Sequence, residues 1–276
     1  MESPLNHLIV GCGYLGQALL KRYSDKTCWL INRGNKLNLS SNNHEQISLD
    51  INDSSDWEVF KSLEDTKDLI VYFMIPPSKI DAEKFPAFIE QLDRLNIKRR
   101  ILVSSTVVYG RQERIVDADS EVDLDSERAK RQYHFEQDWL NNSTTSMVVR
   151  MAGIYGQNRI IGKQTIETGD NLTGNPDAWL NLIHVDDAAA LLECLAHHDR
   201  LSKVELGSDG VPLSRKKYYS TVAELLNKNL PDFKEKTNDK GRCCNIKLTS
   251  ERTGWLPTHT DIKVSLVELL KASANG

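Results

Sequence analysis

The chain lacks any long apolar run. Its longest, Leu69–Ile75, has seven residues, far short of the ~18 apolar residues that a membrane-spanning helix needs, so no membrane partner is expected. Met1–Val10 has no basic n-region and only Leu8-Ile9-Val10 as an apolar core, which argues against a secretory leader. Cysteine is sparse and odd in number, five in 276 residues. Cys12, Cys28, Cys194, Cys243 and Cys244 follow neither a disulfide framework nor a zinc spacing, so no metal is expected and Cys243-Cys244 reads as ordinary reduced thiols. A cytoplasmic location is consistent with all of this. A dense basic block is also missing. The formal net charge is -4, and without a Lys/Arg face the chain is not expected to bind nucleic acid. The tightest basic cluster, Lys98-Arg99-Arg100, reads as the solvated end of a helix. No repeat or low-complexity segment is present.

What is there is a soluble α/β pattern: 39% hydrophobic and 27% charged residues. Leu8-Ile9-Val10, Cys28–Ile31, Gln46–Leu49, Leu69–Met74, Ile101–Val103 and Met147–Val149 read as strands. Between them lie helical patterns, one starting at Leu15, one over Phe85–Leu95 with Pro86 in its first turn, and one over Asp125–Asn141. Near-continuous apolar strands alternating with helices predict a doubly wound parallel sheet of Rossmann type with a smaller C-terminal lobe. Residues 1–155 form the expected dinucleotide-binding core, to which 180–210 return. Residues 156–179 and 211–276 form the expected substrate lobe. The stretch 156–180 carries few regular signals. Asp186 or Asp187 can cap a helix over 188–192, Val204–Leu206 is a short strand, and helices are expected near Tyr218–Leu226 and Asp261–Leu270, with Asp261 as N-cap.

The strongest chemical signal is Gly11-Cys12-Gly13-Tyr14-Leu15-Gly16, directly after a strand and opening a helix. Gly11 permits the tight turn, Gly13 lets a pyrophosphate reach the backbone, and Gly16 lets helix and strand approach. The helix start then offers N–H groups and the positive dipole end. A nicotinamide dinucleotide is the expected ligand. At the end of the second strand, where a carboxylate would bond the ribose 2′-OH of NAD, stand Asn32 and Arg33, with Lys36 beyond. Cations without a carboxylate suit a 2′-phosphate, so NADP is the first expectation and NAD the second. Arg33 can also be a solvated loop cation. Asp50 and Ile51 after the third strand, Met74, Ile75 and Pro76 after the fourth, and Ser104 on the fifth complete the expected cofactor contacts. Asp50 reads equally well as a turn residue.

Ser104-Ser105-Thr106-Val107-Val108-Tyr109-Gly110 closes the fifth strand. With the glycine loop, Arg150–Gly156, Asn181–Asp187 and Thr253-Gly254-Trp255-Leu256-Pro257, it resembles the extended and atypical short-chain dehydrogenase/reductases, the superfamily of the NAD(P)-dependent epimerases and dehydratases, in order over nearly the whole chain. It looks closest to the YeeZ-like group. The resemblance implies that Ser105 bonds the reacting oxygen of a small-molecule substrate. It also implies a Tyr with a Lys four residues later, and here the chain departs: no Lys has Tyr at that distance. Anchored on Glu136, the Tyr position holds Arg128 and the Lys position Gln132. Tyr133 is the substitute candidate, with Lys130 on its face, or else an ordinary helix aromatic. Tyr109, Arg159 and His184 are candidate substrate contacts, His184 having a structural alternative. The expected activity is that of an oxidoreductase or epimerase/dehydratase acting on a hydroxyl or carbonyl. The alternative is a non-catalytic NADP-binding sensor or interaction module. Helices like Phe85–Leu95 and Asp125–Asn141 pair two copies in related folds, which makes a homodimer possible.

Overall fold

The computed structural model describes residues 5–34, 37, 39, 41–141, 143–198, 202–234 and 239–274. Lys36 lies outside them. The chain divides into two units. The first holds residues up to 108, 126–150 and 189–205; the second holds 109–125, 151–188 and those from 206 onward.

The first unit is built on strands β1 (Asn6–Val10), β2 (Cys28–Asn32), β3 (His44–Ser48), β4 (Leu69–Phe73) and β5 (Ile97–Ser105). Its helices are α1 (Tyr14–Arg22), α2 (Phe85–Leu92) and α3 (Glu127–Leu140). The sheet has seven strands. Across it run Val204–Gly207, Ser146–Met151, β5, β4, β1, β2 and β3, and the pairs from β3 to β5 are parallel. From β1 the chain winds first to β2 and β3 on one side, then crosses back to β4 on the other. The turn after β1 therefore sits at the topological switch point, where open α/β sheets bind ligands.

Burial explains the strand sequences. Every residue of β4 is buried, so no alternation is visible there. α2 buries Phe85, Phe88, Ile89 and Leu92, the i, i+3, i+4, i+7 stripe of one helix face. Phe85 stacks on Phe135 of α3 at 4.4 Å and meets Phe73 of β4 edge-on at 5.3 Å. The apolar face of α2 is thus consumed inside the unit.

The basic cluster is not a solvated helix end. Lys98-Arg99-Arg100 lies within β5, and Arg99 and Arg100 are buried. The physical reason is that each guanidinium finds oxygen partners. Arg99 donates to the carbonyls of Leu195 and His198 at the C-terminal end of helix Val185–His197, satisfying groups a helix leaves open. Arg100 donates to Asp93 at 2.5 Å, to the Trp139 carbonyl at 3.1 Å and to Ser146, and lies 5.2 Å from the Trp139 ring centre.

The second unit has its own apolar core around Tyr155, Ile166, Leu182, Tyr218, Val222 and Leu266. Helices Arg215–Leu225 and Ile262–Ala274 pack in it, and Asp261 caps the second by accepting from the N–H groups of Lys263 and Val264 at 2.9 and 3.1 Å. The stretch expected to be irregular contains helix Lys163–Thr168, bounded by Gly162 and Gly169 in left-handed conformation. Neither Asp186 nor Asp187 caps the helix, which begins earlier, at Val185. Asp187 accepts instead from Thr258 and His259. The five cysteines are free thiols. Among the described residues, no helix is long and apolar enough to cross a membrane.

Candidate functional site

The turn between β1 and α1 is shaped by its glycines. Gly11 has φ +89°, and a Cβ there would stand 2.7 Å from Ile75 Cγ1 and 3.1 Å from Ile75 N. Its N–H donates to the Ile31 carbonyl at 2.9 Å, as does that of Cys12 at 3.2 Å, which pins the turn over the end of β2. Gly16 presses α1 onto β1: a Cβ there would lie 3.3 Å from Ile9 Cγ2 and from Cys12 Sγ. Gly13 differs. It is the N-cap of α1 with ordinary negative φ, and a Cβ there would meet nothing nearer than the Gly11 carbonyl at 3.9 Å. The space in front of Gly13 is open. No side chain caps the helix and no acidic residue stands in its first turn. An uncapped helix start beside open space leaves backbone N–H groups free to meet an anion.

Around this turn, Leu15 and Cys12 are buried, and Tyr14 is half-buried. The N–H of Met74 bonds the Val10 carbonyl at 2.8 Å, so Met74, Ile75 and Pro76 follow β4 directly beside the turn. At the end of β2, Asn32 Oδ1 accepts from Gln46 at 2.7 Å. Arg33 is more than half exposed and lies 3.6 Å from the Asp50 carboxylate, two exposed charges whose pairing is weak. Asp50 also accepts from the Asn52 N–H at 3.0 Å. Ile51 is buried, with its carbonyl bonded by Trp57 Nε1 at 3.2 Å.

At the end of β5 the two serines part. Ser104 is buried and donates to Glu136. Glu136 is fully buried on α3 and takes a bidentate hydrogen bond from Arg150, closest at 2.7 Å. Alternating strand direction therefore commits Ser104 to the interior and leaves Ser105 half-buried on the opposite face, where its Oγ accepts from the Val107 N–H at 3.3 Å. On α3, Gln132 shares the buried face with Glu136 and Ala129, while Arg128 is exposed and Tyr133 half-buried. Lys130 is exposed and held by Glu127 at 2.8 Å, an ion pair that raises its pKa. Its ammonium is engaged there.

In the second unit Tyr109 is fully buried, with its hydroxyl donating to the Asp117 carbonyl at 2.6 Å. Arg159 is exposed in a turn that forms an isolated bridge with Gly156. His184 is buried, edge-on to Tyr155 at 5.2 Å and stacked on His259 at 3.9 Å. Burial, then the His259 charge, lowers its pKa. Burial pushes the Asp187 carboxyl up, but hydrogen bonds from Thr258 and His259 outweigh it and leave the pKa below the ordinary value. His184, Asp186 and His259 place one ligand atom each within 4.8 Å of one another. The stacked rings send their lone pairs along parallel planes, which does not suit a tetrahedral ion.

Sequence reasoning missed His259 and the arginines Arg111, Arg215 and Arg242, which line a cavity of about 410 Å³ in the second unit. They come from three separated segments, and no local spacing marks them.

No family model and no curated protein matches the chain. Solved structures do. A protein of Methylobacillus flagellatus assigned to the NAD-dependent epimerases/dehydratases aligns over 99% of this chain and 100% of its own, with TM-score 0.82 and 21% identity. The chain has the fold of the NAD-dependent epimerases and dehydratases. MoeE5, solved with UDP-glucose and NAD, aligns over 98% and 99% of the two chains with TM-score 0.81 and 17% identity. The UDP-glucose 4-epimerase of Thermotoga maritima, solved with UDP-glucose, aligns over 98% and 100% with TM-score 0.80 and 16% identity. At such identities the likeness is one of fold, and residue roles rest on the geometry above.

Proposed function

We propose that the chain is a nicotinamide-dinucleotide-dependent enzyme of the epimerase/dehydratase or oxidoreductase type, acting on a hydroxyl or carbonyl of a small polar metabolite. The observation that carries this is the open space before Gly13 at the uncapped start of α1, between Gly11 at positive φ and a close-packed Gly16. The residues fit a dinucleotide: amides at the helix start take the pyrophosphate, and the segments after β2, β3 and β4 flank it. A bound nicotinamide supplies the acceptance and donation of hydride. Ser105 holds the reacting oxygen by hydrogen bond, and its present acceptance from Val107 leaves its own proton available. Tyr133 is the candidate proton donor on α3. Arg159, exposed in its turn, is the candidate substrate contact of the second unit, in which Tyr109 and His184 are buried.

NADP is the preferred dinucleotide in this reading. Arg33 is exposed at the end of β2, no carboxylate stands at Asn32, and the 3.6 Å contact with Asp50 is loose enough for a 2′-phosphate to displace. Two solved structures of similar fold, MoeE5 and the Bordetella bronchiseptica enzyme WbmG, carry NAD, which makes NAD the competitor. A fluorescence titration with NADPH and NADH tests the reading. Saturable binding of NADPH tighter than NADH is expected. Gly13→Asp has room for its Cβ and puts a carboxylate where the pyrophosphate would lie, with circular dichroism and thermal unfolding of the variant checking that the fold is kept. It should abolish binding of both. Binding unchanged in that variant would overturn the proposal.

One observation favours a second reading, a cofactor-binding sensor without turnover: the positions that should carry Tyr and Lys on α3 hold an exposed Arg128 and a buried Gln132. Substrate-dependent oxidation of NADPH across sugars, aldehydes and ketones would end that alternative.

A further inference from the structure

One side chain of β3 holds the chain where it leaves β2. Gln46 stands opposite Leu30 in the parallel register of β2 and β3. It therefore shares a sheet face with Asn32, two residues further along β2, on the diagonal that a long side chain can span. Half-buried there, its amide is used at both ends. Oε1 accepts from the Leu37 N–H at 2.8 Å, and Nε2 donates to Asn32 Oδ1 at 2.7 Å.

An amide side chain can be turned over, exchanging oxygen for nitrogen. Here the Leu37 backbone decides. A backbone N–H only donates, so Gln46 must face it with oxygen. The nitrogen of Gln46 then points to Asn32 and also only donates, so Asn32 must answer with Oδ1. Its Nδ2 is thereby turned away from Gln46. An NH2 group carries two hydrogens, so a neighbour that takes one leaves the other for a ligand. The position matters. Ile31, the residue before Asn32, offers the carbonyl that takes the N–H groups of Gly11 and Cys12. Asn32 thus borders the glycine turn, and Arg33 follows it, more than half exposed.

We propose that Gln46 is a positioning residue for cofactor choice: it locks Asn32 with its donor side toward the ribose of the dinucleotide, so that Asn32 and Arg33 together favour a 2′-phosphate over a 2′-hydroxyl. A phosphate offers acceptors and is met by donors. A 2′-hydroxyl gains most from an acceptor that takes its proton, the part a carboxylate plays at the end of this strand in NAD-binding folds. The locked Asn32 withholds its one acceptor. This inference rests on the dinucleotide reading above and assigns part of its cofactor preference to a residue of the neighbouring strand.

Fluorescence titration of the full chain with NADPH and with NADH tests it, read as the ratio of the two Kd values. Gln46→Met removes both hydrogen bonds and adds no charge. It should weaken NADPH by about fivefold to tenfold and leave NADH within about twofold. Gln46→Glu still accepts from the Leu37 N–H but demands a donor from Asn32, which turns that amide over and presents its oxygen. This variant should bind NADH more tightly than NADPH. Asn32→Ala should cost NADPH about as much as Gln46→Met does, and the double variant little more, because one residue acts through the other. A Gln46 that merely supports the fold would weaken both dinucleotides alike. That result, an unchanged ratio in both Gln46 variants, or additive losses in the double variant would each overturn the proposal. Tighter binding of NADH by the wild-type chain would also overturn it while leaving dinucleotide dependence intact. Absence of saturable binding of either dinucleotide would end both readings.

Discussion

Asp209 illustrates what burial does to a single charge. Burial pushes its carboxyl up to about 7, partly opposed by hydrogen bonds from Val211 and Ser208 and assisted by the Asp187 charge. The unfolded carboxyl titrates near 3.8. Between these values the folded chain holds a proton that the unfolded chain has released, so stability declines as pH rises through that window. Asp209→Asn keeps the acceptor that Val211 N–H uses at 2.9 Å and removes the titration. Thermal unfolding at pH 8 should show the variant more stable by about 2–4 kcal/mol, with little difference at pH 4. Glu136 is buried together with its partner Arg150. Glu136→Ala strands Arg150 in the core and should cost about 3–5 kcal/mol in denaturant unfolding. At the proposed reacting centre, Ser105→Ala should abolish turnover while NADPH still titrates normally. Unchanged turnover would remove Ser105 from the chemistry.

Among elements, α2 shows the cost of losing a packed face. Phe85 touches β4 and α3 at once, and Phe85→Ala should destabilise the chain by about 3–5 kcal/mol, read as a lowered midpoint in urea. This helix was legible in the sequence because its apolar spacing and Pro86 are both local signals. The glycine turn was legible for the same reason: strand, turn and helix are contiguous. β5 was legible only over Ile101–Val103. Arg99 and Arg100 hide its first half, since their partners are carbonyls and hydroxyls from Trp139, Ser146, Leu195 and His198, and no window of sequence contains them. The Asp187 contacts with Thr258 and His259 failed to show for the same reason, being set by tertiary approach rather than by helix-capping rules. The cationic cavity is the extreme case. Arg111, Arg215 and Arg242 are ordinary polar residues until folding brings three separated segments together.

At the scale of the molecule, each unit draws on separated stretches of chain. The fold class was readable because the order of strands and helices is a whole-chain property. The cofactor preference was less so, because Arg33 and Asp50 approach only when β2 and β3 lie side by side. Arg33→Ala should weaken NADPH about tenfold and leave NADH nearly unchanged. Comparing the two titrations on one preparation checks this.

The central sheet is threaded late. When residue 105 leaves the ribosome, five strands can zip together, yet the neighbour of β5, Ser146–Met151, is still some forty residues away. Until it arrives, β5 is a raw border of unsatisfied peptide groups, and the two guanidinium side chains it carries stand in water without their later oxygen partners. Charges at such a border discourage adhesion between half-made copies. On this argument Arg99 and Arg100, fasteners in the finished sheet, would also act as sentries on the nascent chain. Exchanging Arg100 for valine should raise the turbidity of refolding mixtures more steeply with protein concentration than its effect on equilibrium stability would account for.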